Sequence, residues 1–359
     1  MNETEKILIE NAKRYPLVKP QDAVKLLYQN EFGTGHFAPD EDSSRKRLTD
    51  EYEGCLHDRD IPLFEYIGNG YVRCHINSRE MRPELLFSLN RAFLLASERK
   101  EGTKERFEEK LAVLERIAKE GRMPFSFEEL AVYLKQYRAN GIPAVSHSQN
   151  YRDAYAPAYR VVEEWFAILF PLLMEAERLR REKGRIVIAL EGRCAAGKTT
   201  ACRYLTKLWK AETVHMDDFF LPPDLRTEER YREPGGNIHY ERFCDEVLKG
   251  LTAGKKFSYR TFCCRRMGYD GVKEIAGDGV VIVEGVYSMH PSFGNPYDLT
   301  AFFDIDRKEQ KRRILLRNGE EEYRKFEDTW IPLEEQYFAA YHTCENCQLL
   351  IKCAEKYGI

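Results

Sequence analysis

The sequence predicts two domains: a mainly α-helical domain with a small β-hairpin at residues 1–182, and an α/β domain with an open parallel sheet and helices on both faces at residues 185–359. The first indication is length, because 359 residues exceed the roughly 250–300 residues that one hydrophobic core supports. The second is that short apolar runs alternate with helical patterns only after residue 185. The third is a glycine-rich loop between the first of these runs and a helix. A charged connector ending in Gly184 marks the boundary.

Composition and charge are those of an ordinary globular chain. Apolar residues make up 43%, charged residues 32%, and the net charge is −3, which argues against binding nucleic acid through bulk electrostatics. No run approaches the ~18 apolar residues of a membrane-spanning helix, and the charged start lacks the apolar segment of a signal peptide. We therefore expect a cytoplasmic protein without a membrane or nucleic-acid partner. Its ten cysteines are expected to be reduced thiols.

Residues 1–182 carry mostly helical periodicity, and Pro83 suits the first turn of a helix. The predicted helices are 3–14, 21–29, 43–52, 83–99, 103–120, 126–139 and 158–181. Pro171 is expected to kink the last of them. Apolar residues on both sides of Gly68-Asn69-Gly70 predict the small hairpin, at 63–76.

Two segments of this half carry more polar groups than a plain scaffold needs. Residues 29–37 form a glycine-punctuated turn, and residues 143–152 bring His, Ser, Tyr and Arg together before the last helix. Turn and capping chemistry is one explanation of both segments. The other is a binding site near His36, His147, Tyr151 and Arg152.

Residues 185–359 alternate strand and helix. The continuous apolar run at 279–285 predicts a central parallel strand that is buried on both faces. Further strands are predicted at 185–190, 212–216, 301–305 and 348–351, and helices at 201–210, 241–251, 307–317 and 333–341. This alternation predicts right-handed crossovers and a ligand site at the carboxyl ends of the strands.

The loop at 192–199 has the spacing of a phosphate-binding loop, with a strand before it and a helix after it. Gly192 and Gly197 let backbone N–H groups approach phosphate oxygens, and the following helix directs its positive dipole end at the same anion. Lys198 is predicted to reach the β- and γ-phosphates of ATP, and the Thr199 hydroxyl to ligate Mg²⁺. The other loop residues predicted to bind the nucleotide are Ala195, Ala196 and Thr200. A glycine-containing turn without a ligand is the alternative.

Two carboxylates follow predicted strands and should lie at the edge of the sheet that carries this loop. Asp217 is predicted to orient and deprotonate an acceptor hydroxyl, and it also counts among the predicted metal ligands. Glu284 is predicted to hold Mg²⁺ or its water shell. The alternative is that each carboxylate caps a following helix.

The segment 307–319 is basic and amphipathic, and Arg313 and Arg317 share one helix face. Guanidinium groups on a mobile helix suit the clamping of a transferring phosphoryl group. A solvated charged face is the alternative.

Taken together, these residues resemble a known family, the uridine kinase, phosphoribulokinase and nicotinamide riboside kinase group of P-loop kinases. The resemblance covers about residues 185–352 and rests on the loop at 192–199, the Asp-Asp-Phe-Phe at 217–220, the strand ending in Glu284-Gly285, and the segments 312–317 and 326–333. It implies a P-loop kinase domain that uses ATP and Mg²⁺ to phosphorylate a hydroxyl of a small molecule. Residues 1–182 resemble no family known to us.

The resemblance also implies roles for individual residues. Asp217 matches the catalytic aspartate of the family. Arg312, Arg313 or Arg317 match the lid arginines of the family. The predicted catalytic residues are therefore Asp217, Arg313 and Arg317, together with Lys198 of the phosphate-binding loop. Arg312 is predicted to bind the nucleotide.

The identity of the acceptor is left open. Where uridine kinases carry an Asp-His-Pro signature, this chain reads Arg-Glu-Pro-Gly-Gly-Asn-Ile-His at 232–239, and the predicted acceptor hairpin at 257–269 lacks uracil-reading residues. A nucleoside-like or sugar-like molecule is the expected acceptor. The candidates for binding it are Asp218, His239, Tyr259, Arg260 and Arg265.

Cys344 and Cys347, with His342 and Cys353 nearby, raise the question of a structural zinc site. Such sites usually take paired motifs, and Cys347 stands at the start of a predicted strand. Packing is therefore the favoured role.

Three functions follow from the sequence. The leading hypothesis is a cytoplasmic ATP-dependent and Mg²⁺-dependent small-molecule kinase, with residues 1–182 shaping or regulating the acceptor site. The second is an ATP-sensing switch whose amino-terminal half engages a partner, and the third is a bifunctional enzyme with separate chemistry near His36 and His147. Intact Lys198, Asp217 and Glu284 favour the first, because a sensor does not need an acceptor-side carboxylate. The oligomeric state is open, a homodimer being one option.

Overall fold

The computed structural model describes residues 2–34, 40–57, 60–99 and 101–353. The chain divides into two compact units, Met1–Ala167 and Ile168–Ile359, which we call the N-terminal unit and the C-terminal unit. Each unit has its own cluster of buried apolar side chains. The C-terminal unit begins before the helix that ends at Lys183.

The N-terminal unit is built mainly of amphipathic helices, as the sequence predicts. Its helices are Glu3–Arg14, Pro20–Phe32, Glu41–Glu53, Leu86–Glu98, Lys104–Lys119, Phe127–Ala139 and Gln149–Tyr155, with a short 3₁₀ turn at Pro83–Leu85. Local side chains fix where several of them begin. For example, the Ser126 hydroxyl accepts the backbone N–H of Glu129, and the Ser126 backbone N–H donates to the Glu129 carboxylate, a reciprocal cap.

A three-stranded antiparallel sheet completes this unit, in the order β1 (Phe64–Gly68), β2 (Tyr71–His75), β3 (Tyr159–Glu163). The predicted hairpin supplies β1 and β2. The helix predicted at 158–181 is wrong at its start, because residues 159–163 pair with β2. Val161 and Val162 suit a strand as well as a helix, and hydrogen bonding to β2 makes this segment a strand. Pro171 does not kink this segment but lies in the first turn of a new helix, Phe170–Lys183.

The C-terminal unit contains a five-stranded parallel sheet, which confirms the predicted fold class. Its strands are β4 (Ile186–Gly192), β5 (Glu212–His215), β8 (Val280–Glu284), β9 (Leu299–Asp304) and β10 (Leu349–Lys352), in the order β10-β9-β4-β8-β5. Every residue of β4 and β8 is buried, as expected when both faces of a parallel sheet are covered. Two antiparallel strands, β6 (Phe257–Cys263) and β7 (Gly268–Ile275), form the separate hairpin that the sequence predicts.

Helices connect these strands. Beside Glu164–Ile168 at the junction and Phe170–Lys183, they are Lys198–Trp209, Glu228–Arg232, Tyr240–Phe243, Lys249–Ala253, Arg307–Lys325, Ile331–Tyr341 and Thr343–Asn346, with π-turns at Cys244–Leu248 and Phe326–Trp330 and 3₁₀ turns at Met216–Phe219, Pro223–Leu225 and Pro291–Phe293. Gly319 interrupts Arg307–Lys325 with a φ of 80°. No helix in the described part of the chain combines the length and apolar character that a membrane crossing requires.

Candidate active site

The glycine-rich loop connects the central strand β4 to the helix Lys198–Trp209. Gly192 has a φ of 130°, and a Cβ placed there would lie 2.2 Å from the backbone oxygen of Phe303, so no other residue fits without moving the backbone. Gly197 precedes the helix with a φ of 99°. These two glycines let the loop curl over the end of the helix, where unsatisfied N–H groups favour an anion.

The two side chains that follow this turn lie at its centre. The Lys198 Nζ donates to the backbone oxygens of Gly192 at 2.6 Å and Arg193 at 2.8 Å, which holds the ammonium inside the curve of the loop. The Thr199 hydroxyl is 3.4 Å from both carboxylate oxygens of Glu284. Of the remaining predicted loop residues, Ala195 has a left-handed φ of 59°, Ala196 is buried and Thr200 is exposed.

Asp217 follows the end of β5, and Glu284 is the last residue of the neighbouring parallel strand β8. Both line one cleft of about 390 Å³, together with Lys198 and Thr199. The Glu284 carboxylate is nearly buried and lies 2.8 Å from the Nδ1 of His215. The Asp217 side chain is exposed to the cleft. Desolvation by the surrounding cleft walls raises the pKa of Asp217, and the charge of Glu284 raises it further.

Asp218 is directed away from this cleft. Its carboxylate accepts a hydrogen bond from the Tyr259 hydroxyl at 3.2 Å, and its backbone oxygen accepts one from Arg242. Desolvation raises the pKa of Asp218, whereas the bond from Tyr259 opposes that effect. Adjacent residues after a strand therefore present their carboxylates to different surroundings.

The three predicted lid arginines have different positions. Arg317 lines the cleft and donates to the side-chain oxygen of Asn318 at 2.6 Å. Arg313 donates to the backbone oxygen of Ala195 in the loop at 3.3 Å and to that of Cys353 at 2.8 Å. Arg312 is exposed and forms an ion pair with Glu309 at 2.6 Å, outside the cleft. The structure thus brings Arg317 and Arg313 to the loop, but not Arg312.

Two buried glutamates that the sequence analysis did not single out support the loop. Glu191, fully buried at the end of β4, accepts backbone N–H groups from Gly192 at 2.8 Å and Tyr287 at 3.1 Å. Glu334 lines the cleft and accepts the backbone N–H of Cys194 at 3.0 Å. The charged Glu191 inside an apolar strand was a visible signal, whereas nothing in the local pattern marks Glu334.

Glu334 gives the protein a testable pH dependence. Burial raises its pKa from 4.5 to about 7, so the folded state binds this proton more tightly than the unfolded state. Its contribution to the free energy of unfolding is therefore complete below pH 4.5 and falls by up to about 3 kcal/mol as the pH rises through 7. Glu334→Gln stays neutral, so its unfolding midpoint should rise relative to the parent between pH 5 and pH 8 in thermal melts. The exposed Glu345→Gln serves as control, and an equal difference at both pH values would refute the prediction.

The rest of the cleft is suited to a second ligand. Asn237 lies buried in its wall beside the Tyr287 hydroxyl, with which its amide interacts. Neither polar atom of the amide makes a hydrogen bond of full geometry among the described residues. Arg226 also lines the cleft, and its guanidinium donates to the backbone oxygen of Leu221 at 2.8 Å. Among the residues that the structure describes, no carboxylate lies within ion-pair distance of Arg226. Aromatic side chains of Phe220 and Trp330 complete this end. Polar groups beside aromatic rings are typical of a small-molecule site.

The predicted acceptor-binding residues lie outside this cleft. Tyr259 is buried and bonded to Asp218, and Arg260 pairs with Glu246 at 2.5 Å. The His239 ring accepts the N–H of Arg242 as a helix cap. Arg265 is exposed in the turn between β6 and β7. From that turn, Cys264 and Met267 reach the cleft instead.

The remaining predicted positions are elsewhere. His36 lies outside the described residues, and in the N-terminal unit Tyr151 stacks on His147 with ring centroids 4.0 Å apart while Arg152 donates to the His147 backbone oxygen. The Cys347 sulfur is 3.2 Å from that of Met289. No group of three His, Cys, Asp or Glu side chains within the described ranges is placed to hold a metal ion.

The parallel sheet, the loop at the end of its central strand and the carboxylates at the two adjacent strand ends form an α/β domain with the arrangement of a phosphate-binding loop. No family model matches the chain. Uridine-cytidine kinase B from Dictyostelium discoideum is 26% identical over 166 residues, which are 43% of this chain and 67% of that protein. The similarity to uridine-cytidine kinases is therefore distant.

Two solved structures align with about half of the chain. A possible uridine kinase from Bacillus stearothermophilus has 14% identity and a TM-score of 0.39, covering 50% of this chain and 99% of its own. A protein provisionally described as a fructose transport system kinase, from Silicibacter sp., has 19% identity and a TM-score of 0.42, covering 52% of this chain and 98% of its own.

Proposed function

We propose that this protein is an ATP-dependent kinase that transfers the γ-phosphoryl group to a hydroxyl of a nucleoside-like or sugar-like metabolite. One observation carries the proposal. A single cleft of about 390 Å³ presents the loop residues Lys198 and Thr199, the carboxylates Asp217 and Glu284, and the guanidinium of Arg317. Phosphoryl transfer needs these parts together: a phosphate cradle, oxygen ligands for a metal, a carboxylate at the acceptor, and a cation near the transferred group.

The residues present fit ATP with Mg²⁺. The loop amides and Lys198 would hold the phosphates, and the Thr199 hydroxyl with the Glu284 and Asp217 carboxylates offers hard oxygen ligands of the kind Mg²⁺ prefers. A bound Mg²⁺ would spread the charge of the phosphates. On binding a nucleotide, Lys198 would exchange its two loop carbonyl partners for phosphate oxygens, because a charge-assisted pair is stronger than a bond to a neutral carbonyl.

Asp217 would orient the acceptor hydroxyl and accept its proton at a carboxylate oxygen. Desolvation by the cleft walls raises the pKa of Asp217, and this desolvation favours proton acceptance by its carboxylate. Arg317 would stabilise the negative charge on the transferred group, and Phe220 and Trp330 would help to exclude water from it.

Asn237 is proposed to bind the acceptor, because a buried amide whose hydrogen bonds are incompletely made is costly unless a ligand completes them. Asn237→Leu removes both polar atoms at similar volume. The variant should keep or exceed the parent's thermal stability, whereas the KM for the acceptor rises about tenfold and the KM for ATP changes little. Steady-state kinetics and thermal unfolding test this, with the exposed Asn295→Leu as control. An unchanged acceptor KM would contradict the assignment.

The acceptor itself can be found directly. The protein would be incubated with ATP, Mg²⁺ and a pooled library of nucleosides, sugars and related hydroxyl compounds, and the mixture searched by mass spectrometry for a product heavier by one phosphoryl group. The proposal expects one chemical class to be phosphorylated. Tight ATP binding without any phosphorylated product would oppose it.

A further inference from the structure

The N-terminal unit contains a second cleft of about 390 Å³, which we call the N-terminal cleft. Lys25 and Gln29 line it from the helix Pro20–Phe32, Arg47 from the helix Glu41–Glu53, and Tyr159 and Arg160 from β3. The proposed kinase chemistry uses none of these residues.

A chain of hydrogen bonds between three side chains fixes one wall of the N-terminal cleft. The Nδ1–H of His147 donates to Asp22 at 2.9 Å, and the Tyr159 hydroxyl donates to Nε2 of the same ring at 2.7 Å. Burial lowers the pKa of His147 to about 4, so near neutral pH the ring is uncharged and has one donor and one acceptor nitrogen. The Tyr159 hydroxyl therefore has a fixed direction. Its oxygen accepts the Gln29 side-chain amide at 3.4 Å and can accept one further hydrogen bond.

A buried arginine continues this wall on the other side of Tyr159. Arg73 is 1% exposed and donates twice to the side-chain oxygen of Gln29, at 2.9 and 2.7 Å. Glu65 balances its charge at 3.4 Å. Apolar residues of similar volume would stabilise such a position at least as well as a buried ion pair. Stability alone therefore does not explain the network, which we interpret as holding the polar side chains of the cleft in place.

The cleft lining carries an excess of positive charge. Arg160 pairs with Glu51 at 2.7 Å, but within the described residues no carboxylate lies within ion-pair distance of Lys25 or Arg47. The Lys25 ammonium donates to the backbone oxygen of Val145 at 3.0 Å. Burial, and then the charge of Arg73, lowers the pKa of Lys25 to about 8, which leaves it mostly charged at pH 7.

Asp22, whose charge acts on Lys25, already has hydrogen-bond partners of its own. Asp22 is 1% exposed, and its oxygens accept hydrogen bonds from His147, from Ser148 and from the backbone N–H of Lys19. Phe93 adds an aromatic surface to the lining. The cleft thus offers two cations without acidic partners, an oriented hydroxyl and an apolar wall.

We propose that the N-terminal cleft binds a phosphate monoester of a small organic molecule, with Lys25 and Arg47 on the phosphate and Tyr159 on a polar group of the organic part. A phosphate monoester carries a charge of about −1.5 to −2 at pH 7, which matches the two cations. Charge-assisted hydrogen bonds to such an anion are the strong ones. The aromatic ring of Phe93 would pack against the organic part.

Pyridoxal 5′-phosphate is a suitable probe, because its aldehyde and its phosphate arm are attached to adjacent ring carbons, so an amine that contacts the phosphate can also reach the aldehyde while Arg47 still holds the phosphate. The uncharged Lys25 amine attacks the aldehyde, water leaves to give an imine, and borohydride supplies the hydride that reduces the imine to a stable secondary amine. Peptide mapping of the full-length protein then measures the modification of Lys25 relative to the exposed Lys135. Pyridoxal, which lacks the phosphate, is the matched reagent. A lowered pKa of the Lys25 amine raises its reactivity toward both reagents. Recognition of the phosphate raises its reactivity toward pyridoxal 5′-phosphate alone.

We expect the ratio of Lys25 labelling to Lys135 labelling to be about tenfold higher with pyridoxal 5′-phosphate than with pyridoxal. Inorganic phosphate should reduce labelling of Lys25 and leave Lys135 unchanged. Arg47→Gln should lower the ratio toward that of pyridoxal, and the neighbouring Lys46→Gln should not. Equal ratios with the two reagents, or no protection by inorganic phosphate, would overturn the proposal. Both results are independent of kinase activity.

Discussion

Replacing Lys198 with alanine should lower phosphoryl transfer by about 10²–10³-fold while the protein stays folded. The ammonium would face the charge that develops on the β- and γ-phosphates, and removal of one such preorganised group typically has an effect of this size. The fold should survive, because the partners of Lys198 are two backbone oxygens of the loop, which water can reach once the side chain is shortened.

The measurement is turnover on the acceptor that the library screen finds, alongside a thermal melt. Lys207→Ala is the matched control, since it changes an exposed lysine on the same helix. Parent-like turnover in the Lys198 variant would refute the assignment of the loop as the phosphate site.

Asp217→Asn should lower the rate of transfer by about 10²–10⁴-fold, the usual contribution of a carboxylate that accepts the acceptor's proton. The substitution keeps the size of the side chain but removes its charge and basicity, so ATP binding should persist. Asp218→Asn is the matched comparison and should be less damaging, because the Asp218 carboxylate is bonded to Tyr259 away from the cleft.

Titration of a non-hydrolysable ATP analogue and steady-state turnover separate binding from chemistry in both variants. A larger loss in the Asp218 variant would place the acceptor on the Tyr259 side instead. If neither aspartate mattered while Lys198 did, the protein would be a nucleotide-responsive switch.

The sequence predicted the parallel sheet because its signals are local. The strand before Gly192, the helix after Lys198 and the apolar run that ends at Glu284 each depend on neighbours along the chain. The strand β3 was missed because the apolar face through Val161 and Val162 also fits a helix. Only pairing with Tyr71–His75 distinguishes the two, and that contact spans about ninety residues of sequence.

The sequence did not predict the end of the cleft that we propose binds the acceptor, for a related reason. Asn237, Arg226 and Trp330 come from separate loops and turns, and only tertiary folding places them on one wall. Tyr259 and Arg260 looked suitable as polar groups on a hairpin, but the fold pairs them with Asp218 and Glu246. Residue type predicts what a side chain can bind, whereas its partner in the fold determines whether it is available.

Phosphoryl transfer to a small hydroxyl compound in one cleft is the proposed function of this protein. Its most direct test is to incubate parent and Asp217→Asn proteins with ATP labelled in the γ-phosphoryl group, Mg²⁺ and the acceptor from the screen. We expect label to move from ATP to the acceptor with the parent and this transfer to fall by about 10²–10⁴-fold in the variant, although both bind ATP. Equal transfer by the two proteins, or label released only as inorganic phosphate by the parent, would contradict it.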